Sequence, residues 1–438
     1  MIKRRRQSWS LSYRQTITVV LYLSTIVCGI SFTYGAFAQV SSSDQFALRD
    51  GDRVVFYGDS ITAQRLYTRF VEDMVVTRYP DLKVRFFNAG MGGDRVTGGG
   101  AGTVDQRLAR DVFPLKPTVI TVMLGMNDGN YRTNDPTLLQ RYEDGYRALV
   151  LKLKAGAPDA RLYLIRPSPY DEFAHGPRVP GYNDVLIQYG KVDEKIAAEV
   201  HVQVLDLNAP VVAELRKAVA LDPVFAATII GDRIHPSAAG HWIMAEELVH
   251  SWGFRSLISS TSIDLVLDKV TSDVTNLKRE PHGALQWTLL EPALPLPLDP
   301  DDVNIQMLLK VSDLSSLDQE PLRVSGLTSD EYTLFIDGIR VGDFRRDQLI
   351  VGINLAMLTS PITQQAQSVD HVADDRAKAD ALRFTILTQG TKLAHLNETI
   401  EGLSEWDELR WQQEVLRAKP IAREFRLVPF AAGNTLRN

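Results

Sequence analysis

Cysteine is almost absent from this chain. Among 438 residues there is one, Cys28, and it falls in an apolar stretch near the start. A chain trimmed of that stretch has no thiol, so disulfides, thiolate nucleophiles and thiolate metal ligands are excluded. Positive charge is also in short supply. There are 48 Lys and Arg against 54 Asp and Glu, a net charge of −6, and the five basic residues among the first 38 leave about −11 beyond them. A nucleic-acid partner calls for the opposite sign. Internal repeats and low-complexity tracts are missing as well.

What is present begins with "MIKRRRQSWS", a basic start followed by an uncharged apolar stretch from Ile17 to about Phe32 and then by Ala36-Phe37-Ala38. The last triplet has the small-x-small form that signal peptidase cuts. Residues 1–38 therefore read as a secretory signal, placing the protein in the periplasm or outside the cell. A membrane anchor is the competing reading, because the stretch is near the lower length limit for a spanning helix. The small-residue site favours cleavage, after which no stable membrane insertion is expected. Arg4-Arg5-Arg6 is a poor twin-arginine match, and Cys28 lacks the approach of a lipoprotein site.

The chain is 45% hydrophobic and 23% charged, the composition of a soluble globular protein long enough for two or three domains. From Asp52 to about Trp252, short β-branched runs alternate with helical patterns. The expected strands are 53–57, 83–88, 118–124, 161–165 and 202–205. The expected helices are 62–79, 103–112, 136–155, 183–200 and 237–252. Such alternation implies an α/β fold, a parallel sheet covered on both faces. Residues 45–258 read as one α/β domain on this basis.

After Trp252 the pattern changes. Residues 262–268 and 284–290 look like paired strands, and "YTLFIDGIRVGDF" carries a hairpin signal at Asp337-Gly338. Residues 361–417 are helical in pattern and charge-rich. This smaller region, 259–438, offers no cluster of catalytic residue types, and the sequence assigns it no role.

Each strand of the first part ends in a polar or glycine-rich group. These are Gly58-Asp59-Ser60, then "NAGMGGDRV" at 88–96, then Gly125-Met126-Asn127-Asp128, and after the fifth strand "GDRIHPSAAGH" at 231–241. In parallel sheets ligands bind at the carboxyl ends of strands, so these groups should gather at one edge. A serine hydroxyl becomes a nucleophile when a carboxylate-oriented histidine takes its proton. Asp232 and His235, three apart at a helix entrance, can sit side by side and face Ser60. The N–H groups of Ser60 and Gly93 and the Asn127 amide are suitable donors for an oxyanion.

Gly58-Asp59-Ser60-Ile61, the glycine of Gly92-Gly93-Asp94, Gly125-x-Asn127-Asp128 and Asp232-x-x-His235 resemble, in order, the four sequence blocks of the SGNH (GDSL) hydrolase superfamily. Position 61 is Ile where the block has leucine. The resemblance covers about residues 50–255. It implies a flavodoxin-like three-layer α/β/α fold and ester hydrolysis without metal or other cofactor. By the same resemblance Ser60 is the nucleophile, His235 the base, Asp232 its orienter, and Ser60, Gly93 and Asn127 form the oxyanion hole. Arg95, Tyr131 and Tyr170, with Phe173 and His175, fall on loops at the site's edge and are candidate substrate contacts.

Other readings weigh less. Gly90-Met91-Gly92-Gly93 lacks the third glycine of a dinucleotide loop, and the glycines at 98–102 are not followed by the Lys-Ser/Thr of a phosphate loop. Thr62 breaks the G-x-S-x-G frame of another serine-hydrolase fold. A metal-dependent phosphoesterase built from Asp59, Asp94, Asp128, Asp232, His235 and His241 is an alternative, but no His-x-His or Asp-x-His pair follows the first strand. His241 reads as a packing residue of the final helix. A non-catalytic glycan-binding protein would leave the ordered Ser, Gly, Asn and His set without a purpose. With no long apolar lid or amphipathic surface helix, the expected substrate is a small acyl ester, acetyl in particular, on a carbohydrate or other small molecule. A lysophospholipase or thioesterase is the runner-up, and the oligomeric state is not legible.

Overall fold

Strands that are apolar along their whole length need cover on both faces, and the helices between them supply it. The computed structural model describes residues 46–133, 135–176, 178–271, 273–299, 301–389 and 395–430. The expected signal segment, 1–38, lies outside these residues. Five strands form a parallel sheet: β1 (Arg53–Gly58), β2 (Arg85–Gly90), β3 (Val119–Met123), β4 (Arg161–Ile165) and β5 (Gln203–Leu205). All five strands expected from the sequence are there, with no end moved by more than two residues. Their order is β2-β1-β3-β4-β5, and β1 runs in register with β2 from Arg53↔Arg85 to Gly58↔Gly90. This is the flavodoxin-like order, in which the ligand crevice opens between β1 and β3, where the order reverses.

The main flanking helices are α1 (Leu66–Arg78), α2 (Pro136–Gly156), α3 (Tyr182–Val200), α4 (Ala209–Leu221) and α5 (Ala238–Ser251). Helix α1 packs with α5, and α2 with α3. In α2, Pro136 takes the first position and the Asp135 carboxylate accepts the N–H groups of Thr137 and Leu138 at 3.1 and 3.3 Å, a cap that starts the helix. Its buried residues, Tyr142, Tyr146, Leu149, Val150 and Leu153, recur at the helical period and form one stripe. Each such side chain contributes roughly 1.5–3 kcal/mol by leaving water.

Three local differences from the sequence expectation have physical causes. The helix expected over 62–79 is two helices, Ser60–Ala63 and α1, because Arg65 is left-handed at φ +64°. The helix expected over 103–112 starts at a Thr103 cap but passes into a π turn over Leu108–Val112. Helix α4 and the short helix Pro223–Ile229 occupy a stretch to which the sequence reading assigned no element.

The later part of the chain is bonded to the first rather than hung from it. Five antiparallel strands follow the order Val274–Arg279, Leu285–Leu289, Arg423–Pro429, Glu331–Ile336, Ile339–Arg345. The hairpin at Asp337-Gly338 is present, with φ of +51° and +77° at the two turn residues. The expected pairing of the 262–268 and 284–290 runs is corrected. Thr261–Asp264 pairs in parallel with Pro321–Ser325, whereas Leu285–Leu289 lies between Val274–Arg279 and Arg423–Pro429. Alternation announces a strand's faces but not its neighbour. Helices α6 (Pro361–Gln389) and α7 (Leu396–Arg417) then pack together, with α6 against α1. Arg69 of α1 meets Asp370 and Asp374 at 2.8 and 3.1 Å, and Arg376 meets Glu72, Glu414 and Asp407 at 2.5, 2.5 and 2.9 Å.

Candidate active site

β1 ends at Gly58 because nothing larger fits: a Cβ there would lie 2.1 Å from Thr62 Oγ1 and 2.9 Å from Met123 O. Asp59 follows as the cap of the short helix, its Oδ1 accepting the Ile61 N–H at 3.0 Å. That leaves Ser60 at the first helical position, its hydroxyl turned outward. Ser60 Oγ lies 2.9 Å from His235 Nε2, and His235 Nδ1 lies 2.7 Å from Asp232 Oδ2. The other oxygen, Oδ1, accepts the N–H groups of Ile234 at 2.9 Å and His235 at 2.6 Å. Burial alone would raise the Asp232 carboxyl, but the His235 N–H, its ring and the Ile234 N–H outweigh it and hold the carboxyl below its ordinary value. It is an ionised partner for the imidazole.

The other two strand-end turns are laced to each other. Gly93 is exposed, with φ +72°, a conformation that strains any residue with a Cβ. Asn127 Nδ2 donates to Asp94 O at 3.0 Å, which commits one of its two amide hydrogens and leaves the second for a bound group. Arg95 is held by Asn127 O and Asn130 Oδ1 at 3.0 and 2.8 Å. Behind them, the carboxyls of Asp59, Asp94 and Asp128 are pushed up to about 7, 6 and 7, in each case chiefly by burial.

The structure thus brings Ser60, His235 and Asp232 into one hydrogen-bonded series and sets the Gly93 and Asn127 turns side by side. Tyr131 is half-buried on the same loop as Asn130; both are left-handed, at φ +54° and +49°, and the Tyr131 ring lies 5.0 Å from that of Tyr182. Tyr170 is a correction. Expected as an edge contact, it is 2% exposed, with its ring edge-on to Tyr182. The loop carrying Phe173 and His175 is clamped by Arg233, which donates to His175 O and Gly176 O, both at 3.1 Å. Arg233 was not singled out in the sequence, and no local signal marks it.

The residues of the metal alternative do not converge. Among the described residues no group of three or more His, Cys, Asp or Glu side chains is placed to hold a metal. Asp94 pairs with Arg107, and Asp128 accepts the Val96 N–H. His241, pushed down to about 3 by burial and then by His235, accepts the Tyr67 N–H at Nδ1 and donates from Nε2 to Gln64 Oε1. It is a packing residue, as expected.

These groups gather at the carboxyl edge of a flavodoxin-like parallel sheet. Residues 56–243 match the GDSL-like lipase/acylhydrolase family, a match that supports the SGNH/GDSL hydrolase superfamily and a carboxylic ester hydrolase. It is 27% identical over 225 residues to an acetylxylan esterase of Geobacillus stearothermophilus, covering 47% of this chain and 95% of that protein. The solved structure of an acetylxylan esterase from the same organism covers 48% of this chain and 97% of its own, at 27% identity and a TM-score of 0.38. A gut microbial diltiazem-metabolizing enzyme superposes with a TM-score of 0.78 at 24% identity, covering 88% of this chain and 99% of its own. That likeness is one of fold, and it extends through the C-terminal sheets and helices. Among the described residues no helix is long and apolar enough to cross a membrane.

Proposed function

We propose that the protein is a secreted serine esterase that removes small acyl groups, acetyl in particular, from carbohydrate hydroxyls. The observation that carries this reading is the Ser60–His235–Asp232 series, with hydrogen bonds of 2.9 and 2.7 Å. His235 Nε2 takes the Ser60 proton as Oγ attacks the ester carbonyl, and Asp232 steadies the imidazolium that forms. The N–H groups of Ser60 and Gly93 and the free Asn127 amide hydrogen receive the oxyanion. His235 then returns the proton to the departing sugar oxygen, leaving an acyl-Ser60 that water, activated by the same histidine, hydrolyses.

The carbohydrate assignment is supported by the acetylxylan esterase relative and by the absence of a long apolar lid in the sequence. Secretion is supported by the basic start, the apolar stretch and the Ala36-Phe37-Ala38 site. The test is a screen of purified protein against acetylated oligosaccharides and p-nitrophenyl esters of increasing chain length. Turnover is expected to be highest on acetyl and to fall beyond butyrate. A preference for octanoate or longer would replace this reading with a lipolytic one.

A further inference from the structure

Two arginines back the candidate site from the protein side, and neither takes part in the chemistry above. Arg65, left-handed at φ +64°, donates from Nη1 to Ala63 O at 2.9 Å. Ala63 is the last residue of the short helix that presents Ser60. Arg107 is fully buried and reaches both ends of the turn that carries Gly93. Its Nη2 donates to Ala89 O at 2.6 Å and its Nε to Asp94 Oδ2 at 3.3 Å, while Nη1 holds Asp111 at 2.9 Å. Through Asp94, whose carbonyl accepts the Asn127 amide at 3.0 Å, the same arginine is coupled to the third oxyanion donor. It stands where α-helix passes into the π turn Leu108–Val112, a departure from regular helix often found at functional sites.

Both guanidiniums meet one aromatic ring from the far end of the chain. Phe384 of α6 is 8% exposed, with Arg65 Cζ 5.6 Å and Arg107 Cζ 5.8 Å from its ring centroid. Asp380, one turn earlier on α6, pairs with Arg65 Nε at 3.2 Å. A guanidinium taken out of water is held in place by the acceptors and ring faces around it. An aromatic ring touching both arginines therefore fixes the nucleophile turn and the oxyanion turn relative to each other.

Resting on the esterase reading, we propose that Phe384 is a positioning residue for that site, so that the C-terminal helix α6 takes part in turnover by holding Arg65 and Arg107. The residue touches no reacting atom; its effect passes through Arg65 to the Ser60 helix and through Arg107 to Gly93 and Asn127. The demand falls on geometry in the transition state, so the effect belongs in kcat and not in KM.

The test uses full-length Phe384→Leu, which keeps apolar bulk without the ring face, and Phe384→Tyr, which keeps the ring. Three readouts are taken on each: kcat and KM on p-nitrophenyl acetate, the rate at which a fluorophosphonate labels Ser60, and the urea unfolding midpoint. Phe384→Leu is expected to lower kcat and the labelling rate together by about tenfold, since small misplacements of reacting groups are costly. Its KM stays within about twofold and its midpoint close to that of the parent, while Phe384→Tyr retains most of the rate. Wild-type kcat in Phe384→Leu overturns the proposal. So does a loss equal in the Leu and Tyr variants, or one that merely follows the folded fraction. Failure of the underlying reading looks different: Ser60→Ala remains active and the parent protein is not labelled at Ser60.

Discussion

Both carboxylate oxygens of Asp232 serve His235: Oδ1 accepts its backbone N–H at 2.6 Å, and Oδ2 meets its ring Nδ1 at 2.7 Å. The carboxylate therefore fixes where the residue sits and which ring nitrogen carries the proton. Asp232→Ala should remove both effects and lower kcat by about 10³–10⁴-fold with little change in KM. Steady-state kinetics on p-nitrophenyl acetate read this directly. A loss smaller than about tenfold would mean that the ring is oriented by something else.

In the proposed mechanism Ser60 and His235 act as a unit across their 2.9 Å contact. Ser60→Ala and His235→Ala should each abolish nearly all turnover, and the double variant should be little worse than either. Asn127→Ala should cost less, about 10²-fold or about 3 kcal/mol, because two backbone donors remain. EDTA should leave the rate unchanged. Activity lost to a chelator and restored by a divalent metal, together with an active Ser60→Ala variant, is the outcome that reinstates the phosphoesterase alternative.

Asp128 makes the stability depend on pH. Burial pushes its carboxyl up to about 7 from an ordinary 3.8, against the pull of the Val96 N–H and Arg95. Between those values the unfolded chain has released a proton that the folded protein keeps. The stabilisation is thus complete below 3.8 and lost as pH rises through about 7. Asp128→Asn removes this dependence. Urea midpoints of variant and parent, compared at pH 4 to 8, should show the variant gaining relative stability as pH rises. A difference that does not change with pH contradicts the assignment. His241, with its opposite dependence, cancels in the comparison.

Arg78 at the end of α1 and Asp318 are both fully buried and meet at 2.5 Å. Arg78 also donates to Ser256 O and Leu317 O at 3.0 and 3.1 Å, and Asp318 accepts the Leu296 N–H at 2.9 Å. Replacing one partner strands the other charge away from water, a loss of about 3–5 kcal/mol. Arg78→Met is accordingly expected to lower the unfolding free energy by that amount in urea titrations. A change below about 1 kcal/mol would show that the pair does not tie α1 to the later segment.

Much of this protein is legible before any coordinates. The alternation of apolar runs and helical patterns from Asp52 to Trp252 specifies a covered parallel sheet, because period and polarity are properties of neighbouring residues. The four strand-end groups and their order are local for the same reason, as is the hairpin at Asp337-Gly338. What depends on tertiary structure is which surface covers which. The strand Leu285–Leu289 is apolar on one face in sequence, but only packing pairs it with Arg423–Pro429 and not with Thr261–Asp264. Tyr170 lies beside the site in sequence terms, and only the approach of α3 puts its ring under Tyr182. Arg65, Arg107 and Phe384 belong to no motif, and they meet because α6 folds back against α1. A sequence pattern states how much apolar surface a segment must hide; the partner that hides it is chosen by the whole chain.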